Sequence, residues 1–104
     1  MSAVTTQLSD DTRTVTIRVT GRFDFSVHKE FREAYSEYEP VPARFVLDLS
    51  STEYMDSSAL GMVLLLKEHL DGDKRRLEVR NARPEVEKIL RIANFDKLLE
   101  LNCA

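Results

Sequence analysis

The hydrophobic period changes several times along this chain, and the order of the changes limits the folds that it can adopt. Val15, Ile17 and Val19 alternate with polar residues, which is the pattern of a strand with one buried face. A short first strand is predicted around residues 4–8, and the polar residues 9–12 between the two strands are typical of a turn. The chain is therefore predicted to begin with an antiparallel hairpin.

Helical spacing follows the hairpin. Apolar residues at positions 27, 31, 34, 35 and 38 lie on one face of a predicted helix, with Ser26 as its expected N-cap. Pro40 and Pro42 are expected to end that helix. The next apolar run, Phe45-Val46-Leu47, is continuous, which indicates a strand buried on both faces, as central parallel strands are.

The second half of the chain repeats this alternation. A second helix is predicted to start near Asp56 or Ser57, and a third to begin at Pro84, with a strand around Leu77 and Val79 between them. Asp71-Gly72-Asp73 is expected to form a turn, and residues 98–101 a last strand. The predicted fold is α/β, one domain over residues 1–104, with four to five strands in a mixed sheet covered by three to four helices. The order is β-β-α-β-α-β-α-β, with right-handed crossovers.

Composition excludes several classes of function. The net charge of -3 provides no positive field for nucleic acid or an anionic membrane, and no apolar run is long enough to span a bilayer. The single cysteine, Cys103, can form neither an internal disulfide nor a metal motif, which fits a cytoplasmic protein. We expect no cofactor, no metal and no membrane association.

Catalysis is not predicted either. His28 and His69 lie in separate predicted helices and are expected to be exposed, and the chain has neither a nucleophile elbow nor a glycine-rich phosphate loop. A hydrolase using Ser57 would lack a placed base. The sequence therefore favours a protein that is not an enzyme.

Asp56, Ser57 and Ser58 form the most informative stretch of the sequence. Aspartate and serine are preferred N-caps, so a cap without further function is one interpretation. A helix N-terminus also provides free N–H donors and a partial positive charge, so a phosphate on a serine there would not unfold the helix. Spacing alone leaves both interpretations open.

The helix that follows this stretch carries a possible docking surface. At 100° per residue, Leu65 lies on the side away from the apolar face, together with Ser57, Ser58 and Gly61, and Leu64 lies at the edge. Exposed aliphatic residues beside small ones are typical of a surface that binds another protein. The alternative is that a neighbouring helix covers Leu64 and Leu65.

The stretch D-L-S-S-T-E-Y-M-D-S-S-A-L-G, residues 48–61, closely resembles the signature of STAS domains, in particular of bacterial anti-sigma factor antagonists. In that signature an apolar strand leads to an aspartate and two hydroxyl residues at the start of a helix. Residues 20–24, T-G-R-F-D, and the closing segment 90–98 also resemble the family, so the likeness extends over nearly the whole chain. Ala59 departs from it, because the family usually has glycine there.

The resemblance implies a switch. It places the phosphorylated hydroxyl at Ser57, with Ser58 beside it and with Asp24 and Asp56 defining the acceptor's environment. The implied partners are an anti-sigma factor or serine kinase switch protein, bound only by the unphosphorylated form, and a serine phosphatase. The residues expected to bind the partner are Asp24, Asp56, Ser57, Ser58, Gly61, Leu64 and Leu65. The alternative is a constitutive STAS adaptor subunit of a transport or signalling complex, in which Ser57 is only a cap.

Overall fold

The computed structural model describes residues 3–37, 44–72 and 75–102, and these contain seven strands and three α-helices. The strands are β1 (Val4–Leu8), β2 (Thr14–Val19), β3 (Gly21–Phe23), β4 (Arg44–Asp48), β5 (Thr52–Met55), β6 (Arg76–Arg80) and β7 (Glu100–Asn102). The helices are α1 (His28–Ser36), α2 (Ser57–Gly72) and α3 (Pro84–Ile92). Short 3-10 turns precede α1 and β7, at Phe25–Val27 and Phe95–Lys97.

Five strands form the main sheet, in the order β1-β2-β4-β6-β7. β1 is antiparallel to β2, and the other neighbours are parallel. Ile17 lies between Thr6 and Leu47, and Leu47 pairs in turn with Val79. The predicted α/β class, the mixed sheet and the initial hairpin are confirmed.

One face of this sheet forms the core with the three helices. Every second residue of the central strands is buried against apolar residues of α1, α2 and α3. The strand residues are Val15, Ile17, Val19, Phe45, Leu47, Leu77 and Val79, and the helix residues include Phe31, Ala59, Val63, Leu66, Val86 and Leu90. The apolar face predicted for α2 is confirmed, because Ala59, Val63, Leu66 and Leu70 are all fully buried.

The opposite face of the sheet is polar and carries an ion-pair network. Glu78 lies at its centre and is only 3% exposed. Its carboxylate accepts hydrogen bonds from Arg44, from Nε of Arg80 at 2.8 Å and from Asn102, so it joins β4, β6 and β7. Val46 is buried on the same face, which explains why the run at residues 45–47 contains no polar residue.

A second, two-stranded sheet was not predicted. β3 pairs in parallel with β5, beside the end of β2. Gly21 begins β3 with φ +84°, a conformation that other residues rarely adopt, and its N–H donates to the Ser51 carbonyl at 2.9 Å. The buried Thr52 hydroxyl donates to the carbonyl of Val19 at 2.7 Å, which links the small sheet to the main one.

Several predicted boundaries were wrong. Ser26 is not the N-cap; Asp24 caps the 3-10 turn before α1 by accepting the Ser26 N–H at 3.0 Å. Asp71 belongs to α2 rather than to a turn, since its ion pair with Lys67 at 2.6 Å supports one more helical turn. The last strand begins at Glu100 and excludes residues 98–99. The predictions for Tyr38, Pro40, Pro42, Asp73 and Cys103 fall outside the described residues.

Candidate partner-docking site

The small sheet brings two aspartates to the same edge of the molecule. Because β3 and β5 are parallel, the residues that follow them, Asp24 and Asp56, leave the sheet in the same direction. The Asp56 N–H donates to the carbonyl of Phe23 at 3.4 Å, which joins the two strand ends. Each aspartate begins a helical segment, so two N-termini with acidic caps lie side by side.

The three residues 56–58 have distinct roles at the start of α2. The Oδ1 atom of Asp56 accepts the Ala59 N–H at 3.0 Å and the Ser58 hydroxyl at 2.6 Å, so Asp56 is the N-cap. Ser58 is half-buried, and its hydroxyl donates this hydrogen bond to Asp56. Ser57 is exposed, and within the described part of the chain its hydroxyl makes no hydrogen bond. Of the two serines, Ser57 is the accessible one.

Both capping carboxylates are ionised near neutral pH. The hydrogen bond from the Ser58 hydroxyl, with that from the Ala59 N–H, lowers the pKa of Asp56, although the negative charge of Asp24 opposes the shift. The hydroxyl and N–H of Ser26 lower the pKa of Asp24 in the same way. A group added to Ser57 therefore enters a region with two fixed negative charges.

Arg22 is the cation of this region. Its Nε atom lies 3.6 Å from Asp24 Oδ2, and its guanidinium carbon lies 4.9 Å from the centre of the Tyr54 ring. Arg22 and Tyr54 are paired residues of β3 and β5, so the contact crosses the small sheet. Because Arg22 is largely exposed, it neutralises Asp24 only in part.

Apolar side chains continue the surface along α2. Leu65 is 57% exposed and Leu64 36%, so the alternative in which a neighbouring helix covers them does not hold for Leu65. Phe25, in the turn that Asp24 caps, is 65% exposed. Gly61, four residues before Leu65 on α2, is also exposed. We call this surface the docking face; it comprises Asp24, Phe25, Tyr54, Asp56, Ser57, Ser58, Gly61, Leu64 and Leu65.

Sequence reasoning missed Phe25 and Tyr54. Phe25 lies two residues from each of the buried Phe23 and Val27, so strand alternation would place it on their buried face, whereas the 3-10 turn at residues 25–27 leaves it exposed. Tyr54 follows the exposed Glu53, and β5 is too short to show a period. The expected exposure of His28 and His69 was wrong: both are half-buried and line a groove between α1 and α2.

No group of three or more His, Cys, Asp or Glu side chains in residues 3–37, 44–72 and 75–102 is arranged to hold a metal ion. None of the helices in these ranges has the length and apolar content needed to cross a membrane.

Comparison with known proteins decides the family. The model of the Mlab STAS domain matches residues 6–100. The chain belongs to the STAS domain family. A curated relative, the STAS-domain containing protein PA14_20770 of Pseudomonas aeruginosa (strain UCBPP-PA14), is 45% identical over 100 residues, which cover 96% of this chain and 99% of the relative.

Solved STAS domains share the fold at low sequence identity. The unphosphorylated form of SpoIIAA, an anti-sigma factor antagonist of Bacillus, superposes with a TM-score of 0.76 at 21% identity, covering 98% of this chain and 89% of SpoIIAA. The STAS domain of a SulP transporter from Vibrio cholerae gives 0.71 at 16% identity, covering 92% and 76%. The STAS fold thus occurs both in an anti-sigma factor antagonist and in a transporter.

Proposed function

We propose that this STAS domain is an anti-sigma factor antagonist whose binding is controlled by phosphorylation of Ser57. In this proposal the unphosphorylated protein binds an anti-sigma factor or a similar serine kinase switch protein through the docking face. That kinase adds the phosphate and a serine phosphatase removes it, in the cytoplasm. The protein itself needs no catalytic group.

The observation that carries the proposal is the difference between the two serines. Ser57 is exposed and its hydroxyl is free among the described residues, whereas Ser58 is engaged with Asp56. A kinase can therefore reach Ser57 without breaking the cap of α2. The cap in turn holds the acceptor at the helix N-terminus, where the dipole favours negative charge.

Electrostatics explains how one phosphate would change binding. It adds about -1.5 to -2 charges next to Asp24 and Asp56, whose carboxylates already carry charge. A partner that packs closely on Leu65 and Phe25 would have to bury this cluster. Such like-charge contacts cost several kcal/mol, enough for roughly a hundredfold loss of affinity.

The first test identifies the acceptor. Purified protein is incubated with cell extract and ATP, and its intact mass and phosphopeptides are measured. We expect a single phosphate on Ser57, absent from Ser57→Ala and retained by the matched control Ser58→Ala. Phosphate on Ser58 alone would show that the acceptor is assigned wrongly.

The second test measures binding. Ser57→Ala is used as bait to isolate the partner, whose affinity is then measured for wild type, Ser57→Ala, Ser57→Asp and Ser58→Asp. We expect Ser57→Ala to bind like the unphosphorylated wild type and Ser57→Asp at least tenfold more weakly. Equal affinity of Ser57→Ala and Ser57→Asp would contradict the switch.

A second candidate is a constitutive adaptor subunit of a transport complex, in which the docking face is permanently occupied. The likeness to the STAS domain of a SulP transporter favours it. In that case no phosphate appears on Ser57 in the extract, and a transport protein is recovered with wild type and Ser57→Asp alike.

A further inference from the structure

A groove separates α1 from α2 on the side of the domain next to the docking face. Its volume is about 470 Å³, within the range of small-molecule sites. The two helices run in roughly the same direction, since each follows a strand of the parallel pair β3 and β5. The lining residues are His28, Phe31, Arg32, Tyr35, Met62, Leu65, Glu68 and His69.

The floor of the groove is apolar and its ends are held by aromatic contacts. Phe31 and Met62 form the buried floor. At one end the ring of His28 stacks on Phe25, with centroids 4.7 Å apart and planes 11° from parallel. At the other end the rings of Tyr35 and His69 are 5.2 Å apart. These contacts limit the rotamers of both histidines, so the groove is largely preformed.

Nitrogen donors predominate among the polar groups at the rim. Arg32 is exposed, and none of the ion pairs among the described residues involves its guanidinium. The imidazole of His28 adds a further nitrogen, whereas the Nε2 atom of His69 is buried, and Glu68 is the one carboxylate that lines the groove in the described part of the chain. Glu68 follows Leu65 by three residues, so it lies towards the His69 end. The end formed by His28 and Arg32 is therefore the one that complements a negative charge.

We propose that this groove binds a small amphipathic anion, with an aromatic or aliphatic body and one carboxylate. The body lies on Phe31, Met62 and Leu65, and the carboxylate accepts hydrogen bonds from Arg32 and His28. A guanidinium in contact with a carboxylate forms a charge-assisted pair, which is stronger than a neutral hydrogen bond. The site does not depend on phosphorylation of Ser57, so it stands or falls separately from the proposed function.

The probe that matches this chemistry is naphthoate, with naphthamide as the uncharged control of the same shape. Each is titrated into the isotopically labelled protein and followed by amide and methyl NMR. We expect saturable shifts centred on His28, Phe31, Met62 and His69, and roughly tenfold tighter binding of naphthoate than of naphthamide. Shifts centred elsewhere, no saturation, or equal affinities would overturn the proposal.

Charge-reversal variants distinguish binding of naphthoate in the groove from attraction by the net charge of the protein. Arg32→Glu should remove the preference for naphthoate, whereas Lys29→Glu should keep it. Lys29 is exposed on the same helix, does not line the groove and undergoes the same change of charge. Both substitutions leave buried residues untouched, and amide spectra away from the groove verify the fold. Loss of the preference in both variants would show general attraction by charge and would overturn the assignment to Arg32.

Discussion

At the scale of single residues, the docking face depends on which side chains are already engaged in hydrogen bonds. Asp56 accepts hydrogen bonds from the Ser58 hydroxyl and the Ala59 N–H, whereas the Ser57 hydroxyl makes none with the residues that the structure describes. The usual family glycine is Ala59 here, and its side chain is fully buried in the core. The departure therefore lies beneath the surface that a partner would contact, and its methyl group adds to the packing of α2.

Alanine substitutions at two glycines should change the free energy of unfolding in opposite directions. Gly21 has φ +84°, so Gly21→Ala should destabilise the fold by roughly 1 kcal/mol or more. Gly61 is in α2 and nothing lies within 4 Å of a Cβ added there, so Gly61→Ala should stabilise by up to about 1 kcal/mol. Urea denaturation of both variants measures the difference, and a loss of stability in Gly61→Ala would show that the space is not open.

At the scale of elements, the long elements with a clear hydrophobic period were predicted from the sequence, and the shortest strands were missed. The buried face of α2 extends over sixteen residues, long enough for a 3.6-residue period to be read. β3 and β5 contain three and four residues, and no period can be recognised in so few. The cap before α1 was assigned to Ser26 because serine is as common a cap as aspartate, and only the 3-10 turn at residues 25–27 distinguishes Asp24.

The groove could not be predicted at all. Its lining comes from two helices about thirty residues apart, and their packing is set by the parallel pair β3 and β5. His28 and His69 each have the sequence context of an exposed helix residue. The docking face was more accessible to prediction, because most of its members lie within residues 54–65.

One substitution on each side of α2 tests which side stabilises the fold and which side binds the partner. Val63 is fully buried, so Val63→Ala should destabilise the fold by roughly 2 kcal/mol. Leu65 is more than half exposed, so Leu65→Ala should change stability by no more than about 0.5 kcal/mol while weakening partner binding. Thermal or chemical denaturation measures the stability of both variants. Titration of Leu65→Ala with the partner isolated by pull-down measures its binding affinity. A large stability loss in Leu65→Ala would mean that it belongs to the core.

At the scale of the whole molecule, the polar sheet face ties stability to pH. The hydrogen bond from Arg80, with those from Asn102 and Arg44, lowers the pKa of Glu78 to about 2, although burial acts in the opposite direction. A folded-state pKa below the unfolded value of about 4.5 means that the ionised form stabilises the fold above pH 4.5. That stability is lost as the pH falls towards 2.

Glu78→Gln should therefore reduce the loss of unfolding free energy that the protein shows as the pH falls from 5 to 2. We expect the wild type to lose up to about 3 kcal/mol of unfolding free energy between pH 5 and pH 2 through this one group. The variant should be less stable at pH 7 and change less over that interval. Glu100→Gln is the matched control, since Glu100 is half-exposed and 4.0 Å from Arg44. A parallel acid limb in wild type and Glu78→Gln would assign the pH dependence to other carboxylates.

The parallel pair β3 and β5 also keeps exposed residues of the docking face apart from the residues that stabilise the fold. Exposed members of the docking face, among them Phe25, Tyr54 and Ser57, sit on that small sheet or just beyond it and contribute little to the core. Substitutions at these few positions can therefore change the surface that a partner would contact without removing apolar contacts from the core.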